Sequence, residues 1–182
     1  MGGGHRRRLR QGRRSRRPDR PGALPLRAVA PLPPEQALRR LNDAILRQRN
    51  DLRFITIVYA ELDLSGEFPC LTIACGGHPP PLLIHADGTQ EVIDCRGTLI
   101  GVTPDLELSQ VVVRLAAGDT VALYTDGVSE ASHAEPLDGP AVLARLNGAR
   151  SADEVADELQ RLARHKDTPA RDDVAILALQ LA

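Results

Sequence analysis

A succession of short, β-branched apolar runs, each cut off by a turn, most limits what this chain can fold into. "RFITIVYAELD" (53–63) stops at Ser65-Gly66, and "EFPCLTIAC" (67–75) returns as its hairpin partner. Pro69 implies an edge or a bulge in that second strand, because proline cannot donate to a ladder. "LLIHADGTQEVIDC" (82–95) reads as another hairpin, with Asp87-Gly88 at its turn. "LELSQVVVRL" (106–115) is a strand, and "AAGD" (116–119) turns it into "TVALYT" (120–125), its expected antiparallel neighbour. "RDDVAILALQLA" (171–182) is a last strand.

Helical signals flank these runs. "PPEQALRRLNDAILRQRN" (33–50) places Pro34 in the first turn and Leu38, Leu41 and Ile45 on one stripe. "GPAVLARLNG" (139–148) reads as a short helix ending at Gly148. "SADEVADELQRLARHK" (151–166) carries a capping box, Ser151 with Glu154 three residues on, and a buried stripe of Val155, Leu159 and Leu162. Antiparallel strands with helices packed on them predict an α+β fold.

Composition excludes several function classes. Of 182 residues, only 2 % are aromatic, so the core rests on Leu, Val, Ile and Ala. Such a chain has no stacking platform for single-stranded nucleic acid. No apolar run approaches the roughly 20 residues of a membrane span. The cysteines Cys70, Cys75 and Cys95 form no CxxC pair and follow no signal peptide, which points to a reducing, cytoplasmic setting with three small buried hydrophobes.

Charge divides the chain. Residues 1–53 sum to +11 and residues 54–182 to −12, for a net −1. Residues 1–32 hold the Arg-rich stretch "MGGGHRRRLRQGRRSRRPDRPG" and have no apolar period, so they are expected to be disordered. A solvated tail and a contact with nucleic acid or an anionic surface are both readings of that stretch. Nucleic acid is the less favoured partner and a membrane is not expected.

The chemistry-bearing residues cluster at strand ends. Asp126 follows "VALYT", and Asp172-Asp173 precede "VAILALQL". If those strands lie side by side and antiparallel, the end of one meets the start of the other, and the carboxylates converge on one rim. Carboxylate oxygens suit hard cations such as Mg²⁺ or Mn²⁺. Gly127 lets the backbone turn beside an ion without a side chain in the way. "TDG" and "DD" are equally ordinary turn chemistry. His78, in the loop "GGHPPP" (76–81), is either a site residue or a loop histidine bonding backbone groups. It has no zinc spacing, and the sequence has neither a phosphate-cradling P-loop nor a GxSxG elbow.

In order, "RFITIVYAELD", "ACGGHPPPLL", "GTLIGV", "AAGDTVALYTDGVSEAS" and "RDDVAILAL" resemble the PPM-type serine/threonine phosphatases of the stage II sporulation protein E group, a group that includes the phosphatases regulating anti-sigma-factor pathways. The resemblance covers residues 33–182 as one phosphatase domain. It implies a β-sandwich with helices on both outer faces and two Mn²⁺ or Mg²⁺ ions at one end of the sandwich. There the metals activate a water that attacks phosphoserine or phosphothreonine. Asp126 falls on the aspartate of the family's "TDG" and Asp172 on the first aspartate of its C-terminal "DD". Gly127, Asp173 and His78 are secondary candidates. The implied partner is a phosphoprotein such as an anti-sigma-factor antagonist.

Two departures stand out. The family's opening "GDVxGxG" has no counterpart here, since the only acid in residues 1–32 is Asp19 in "RPDRPG". The family's "NAGHPP" reads "CGGHPP", with Cys75 in place of asparagine. An N-terminally truncated member, incomplete in fold and metal site and weakly active or inactive, is therefore the expectation. The competing reading is a phosphatase-like interaction module without turnover.

Overall fold

The computed structural model describes residues 32–47, 54–130, 136–146, 148–164 and 173–182. Asp172 and the Arg-rich stretch lie outside the described residues. In chain order the elements are α1 (Pro34–Arg47), β1 (Ile57–Asp63), β2 (Cys70–Gly76), β3 (Leu82–Ile84), β4 (Gln90–Val92), β5 (Gln110–Arg114) and β6 (Thr120–Tyr124). The short helices α2 (Asp126–Ser129) and α3 (Gly139–Leu143), the helix α4 (Ala152–Ala163) and β7 (Ile176–Gln180) follow.

Two antiparallel sheets face each other. One runs β1-β2-β5 and the other β4-β3-β6-β7. Alternation decides what each strand faces. Leu71, Ile73 and Cys75 of β2 meet Leu83 of β3 and Val121 of β6 between the sheets. On the other face of the second sheet, Leu82, Ile84, Ala122 and Tyr124 pack under Val155 and Leu159 of α4. On the outer face of the first sheet, Leu38 and Leu41 of α1 cover Ala74. This is the expected sandwich with a helix on each outer face. Each fully buried Leu or Ile contributes about 1.5–3 kcal/mol.

The elements follow their local signals in part. The capping box at Ser151 and Glu154 is formed in both directions. Asp87-Gly88 turns the β3–β4 hairpin, with Gly88 at a φ of 90°. Buried Asn42 is satisfied from both sides: its amide donates to the Thr103 carbonyl at 2.9 Å, and its oxygen accepts the Gly101 N–H at 2.7 Å.

Three expectations are corrected. β5 and β6 are not neighbours: β5 pairs with β2 in one sheet and β6 with β3 in the other. The turn between them passes from sheet to sheet because the buried Asp119 carboxylate takes the Ala116 N–H of its own turn and the Ala86 N–H beyond β3. Pro69 marks neither an edge nor a bulge. β2 is the central strand, and Pro69 sits one residue ahead of it, where only its carbonyl is used, by the Leu115 N–H at 2.9 Å. The helix expected over 139–148 ends at Leu143, although Gly148 does adopt a left-handed φ of 75°.

Among the described residues the sandwich is closed on one flank and open on the other. On the β4 side, residues 95–97 reach across to the first sheet, where Gly97 bridges Leu108. On the opposite flank, Leu177 and Leu179 stand beside Leu123 and Val121 and point between the sheets, yet are 60 % and 42 % exposed.

Candidate functional site

The carboxylate end of the second sheet is built by β6 and β7. They pair antiparallel with Tyr124 opposite Ile176, so the exit of β6 meets the entrance of β7. Thr125 continues the ladder by donating its N–H to the Ala175 carbonyl at 3.0 Å. Its hydroxyl accepts the Ala175 N–H at 2.9 Å and donates to the Asp173 carbonyl at 3.0 Å. Thr125 thus ties the approach to β7 onto the end of β6 with both its backbone and its side chain.

Asp126 follows at once and opens α2. It is half-buried, and its Oδ1 accepts the N–H of Gly127 at 3.0 Å. Its carbonyl accepts from the Ser129 hydroxyl at 3.0 Å and from the Glu130 N–H at 2.8 Å, which closes the short helix. Gly127 is buried for a reason beyond the one its sequence position implied. A Cβ there would lie 2.7 Å from the Asp173 carbonyl oxygen and 3.1 Å from Val174 Cγ2, so the glycine makes room for the backbone leading into β7.

The structure therefore brings Asp126, Gly127 and Asp173 to one place. Asp173 is exposed. Asp172, its neighbour, lies outside the described residues. Among the described residues no group of three His, Cys, Asp or Glu side chains is gathered as a metal cage. His78 lies in a different wall. Its Nδ1 donates to the Pro79 carbonyl at 3.1 Å, which fits a loop histidine bonding backbone.

His78 borders a cleft of about 770 Å³ whose other walls include Asp94, Arg96, Tyr124, Ser129 and Asp138. Ser129 belongs to α2, so the cleft adjoins the element that begins with Asp126. Asp138 caps α3 by accepting the Ala141 N–H at 2.9 Å. Burial, reinforced by the charge of Asp138, pushes the Tyr124 hydroxyl up to about 12. Arg96 is held by Asp94 at 2.7 Å. Sequence reasoning singled out neither Thr125 nor the cleft. The hydroxyl at the strand end was a readable signal for Thr125. The cleft walls come from loops far apart in the chain and had none.

Comparison with known proteins agrees with this architecture. The family model of stage II sporulation protein E (SpoIIE) matches residues 22–182, beginning ahead of Pro33. The phosphoserine phosphatase RsbU of Bacillus subtilis is 30 % identical over 98 residues, which are 53 % of this chain and 29 % of RsbU. The RsbU and RsbW domains of a Mycobacterium tuberculosis protein superpose with a TM-score of 0.66 at 26 % identity, over 87 % of this chain and 44 % of theirs. The manganese-presoaked phosphatase domain of SpoIIE from Bacillus subtilis superposes with a TM-score of 0.63 at 16 % identity, over 93 % of this chain and 76 % of that domain. The chain thus spans less than a third of RsbU and less than half of the mycobacterial structure. No helix among the described residues is long and apolar enough to cross a membrane. With a family model matching nearly its whole length and the sandwich fold in common, the chain belongs to the stage II sporulation protein E family of PPM-type phosphatases.

Proposed function

We propose that this chain supplies the carboxylate end of a metal-dependent protein phosphatase, acting on phosphoserine or phosphothreonine in a protein such as an anti-sigma-factor antagonist. The single observation that carries this reading is the β6–β7 register, which sets Asp126 beside the backbone of Asp173. Carboxylate oxygens are the donors Mg²⁺ and Mn²⁺ prefer. The space that a Cβ on Gly127 would fill keeps the two carboxylate-bearing segments together. Asp126 and Asp172, with Asp173 adjacent, would hold the ion. A divalent cation there supplies positive charge that neutralises phosphoryl oxygens and acidifies a water.

The chain's own residues do the positioning. Thr125 fixes the spacing between the two segments, and the Gly127 N–H orients the Asp126 carboxylate. The adjoining cleft offers room for the peptide on either side of the phosphorylated residue.

The test is hydrolysis of a phosphoserine peptide by the purified chain, with and without Mn²⁺, beside Asp126→Asn. Asparagine keeps an oxygen for the Gly127 N–H but removes the charge. Metal-dependent turnover by the parent that is lost in the variant supports the reading. Equal rates in both would overturn it. The absence of "GDVxGxG" from these 182 residues favours a second reading, a module that binds the phosphoprotein without turnover. It predicts Mn²⁺-independent binding of the same peptide and no hydrolysis.

A further inference from the structure

β7 is the outermost strand of its sheet, and among the described residues only its β6 side is paired. Alternation tells which of its backbone groups are left over. On the β6 side, the Thr125 N–H donates to the Ala175 carbonyl at 3.0 Å and the Leu181 N–H to the Asp119 carbonyl at 2.9 Å. The odd-numbered residues of β7 therefore turn their backbone toward β6. Ile176, Ala178 and Gln180 turn theirs outward, along the open flank.

The side chains alternate as well. Leu177 and Leu179, opposite Leu123 and Val121, point between the sheets and are 60 % and 42 % exposed. The first sheet has one strand fewer than the second, and its edge on this flank is β1. Edge strands of monomers are commonly blunted by a lysine, a proline or a bulge. Ile176–Gln180, "ILALQ", carries no charge and no proline, and its register with β6 is unbroken from end to end.

We infer that β7 pairs antiparallel with β7 of a second copy of this chain, about a two-fold axis through Ala178. The strand is self-complementary in that register. Ala178 exchanges N–H···O bonds with the partner's Ala178, and Ile176 does so with the partner's Gln180, so every outward group of the strand is used. A shift to either side would carry one of these three residues past the end of the partner's β7. On the inner face Leu177 falls directly opposite the partner's Leu179, at the closer spacing of about 4.5 Å between Cα atoms. The two-fold axis repeats that pair, so the exposed leucines cover one another and no like charges meet across the axis.

A short strand and its leucines bury less than the roughly 1,200 Å² of a standard stable interface, so the dimer is a concentration-dependent one. It joins the two β4-β3-β6-β7 sheets into one continuous sheet. The Asp173 end of each β7 comes beside the Gln180 end of the other, which sets the two Asp126 ends at opposite ends of the interface. The inference does not depend on the phosphatase reading, because it concerns only an unpaired strand edge.

The experiment is sedimentation velocity of the full chain from roughly 5 to 500 µM, a range that brackets micromolar affinity. The expected mass moves from one chain toward two as concentration rises. Leu177→Lys and Leu179→Glu each raise the dissociation constant by roughly tenfold or more, since each spoils both symmetry-related pairs. Both positions are exposed, so each variant keeps the parent's circular dichroism. Mixed in equal amounts, the two variants pair with each other, because the new lysine stands opposite the new glutamate. Hydrogen exchange of the parent is the second measurement and needs no variant: the Ile176, Ala178 and Gln180 amides gain protection as concentration rises. A chain that stays monomeric throughout would overturn the proposal. In that monomer, protected amides at these three residues would mean that another segment of the same chain covers the edge, and exchanging ones that the edge is bare. A dimer indifferent to both substitutions, or species larger than a dimer, would overturn it as well.

Discussion

The carbonyl oxygen of Asp173 lies 2.7 Å from the point where a side chain on Gly127 would begin. No real Cβ tolerates backbone at that distance, so Gly127→Ala must push apart the end of β6 and the start of β7. The expected cost is about 1–3 kcal/mol of stability, as for other overpacked sites. On the phosphatase reading, Mn²⁺ affinity falls with it, because the two carboxylate segments separate. Urea unfolding and Mn²⁺ titration by calorimetry measure the two effects. An alanine variant with the parent's stability would show that the two segments move apart freely.

Tyr124 gives the domain an alkaline limit. Its hydroxyl is raised from 10.0 to about 12, first by burial and then by the charge of Asp138. The folded state thus holds the proton more tightly than the unfolded chain. That stability is fully present below pH 10 and is lost as pH rises through about 12, amounting to about 2–3 kcal/mol over that interval. Tyr124→Phe has no proton to lose and flattens this fall. Thermal unfolding between pH 8 and 12 compares the two, and identical slopes would contradict the assignment.

Asp119 is the buried acid whose loss costs most. Its carboxylate accepts the N–H groups of Ala86 at 3.0 Å and Ala116 at 2.9 Å, and the His85 ring stands 3.5 Å away. Asp119→Ala leaves both donors without a partner at the passage between sheets. A loss of roughly 2–4 kcal/mol is expected, with Asp119→Asn recovering part of it through its one remaining oxygen. Chemical denaturation of the three proteins decides this.

Much of the candidate site was legible because its determinants are local. The apolar runs "TVALYT" and "VAILALQL", each bounded by aspartate, predict two strands whose ends carry acids, and β6 and β7 do pair side by side and antiparallel. Ser151 with Glu154 predicts a helix start to the residue. The passage from β5 to β6 was not legible. "AAGD" has the length and residues of a hairpin turn, and only the Ala86 N–H, 33 residues from Asp119, identifies it as a corner between sheets. The meaning of Gly127 was half legible: a glycine after a strand-end aspartate signals close approach, but what approaches is the backbone of a segment almost fifty residues later. Cys75 and Cys95 read correctly as buried, whereas Cys70 is only half-buried.

The pairing of β6 with β7 also sets a clock. Thr125 and Ala175 are 50 residues apart in sequence, so during synthesis β6 emerges and meets β3 well before its other neighbour exists. For that interval the second sheet is a strand short, its outer helix α4 lacks part of the surface it packs on, and Asp126 has no opposite segment. Such late, non-local closure is slow relative to helix formation and exposes an apolar edge while it waits. β7 is therefore the last strand of the second sheet to be made, and the Asp126 end is completed only with it. A nascent chain halted before residue 173 would lack the strand that β6 pairs with on its β7 side.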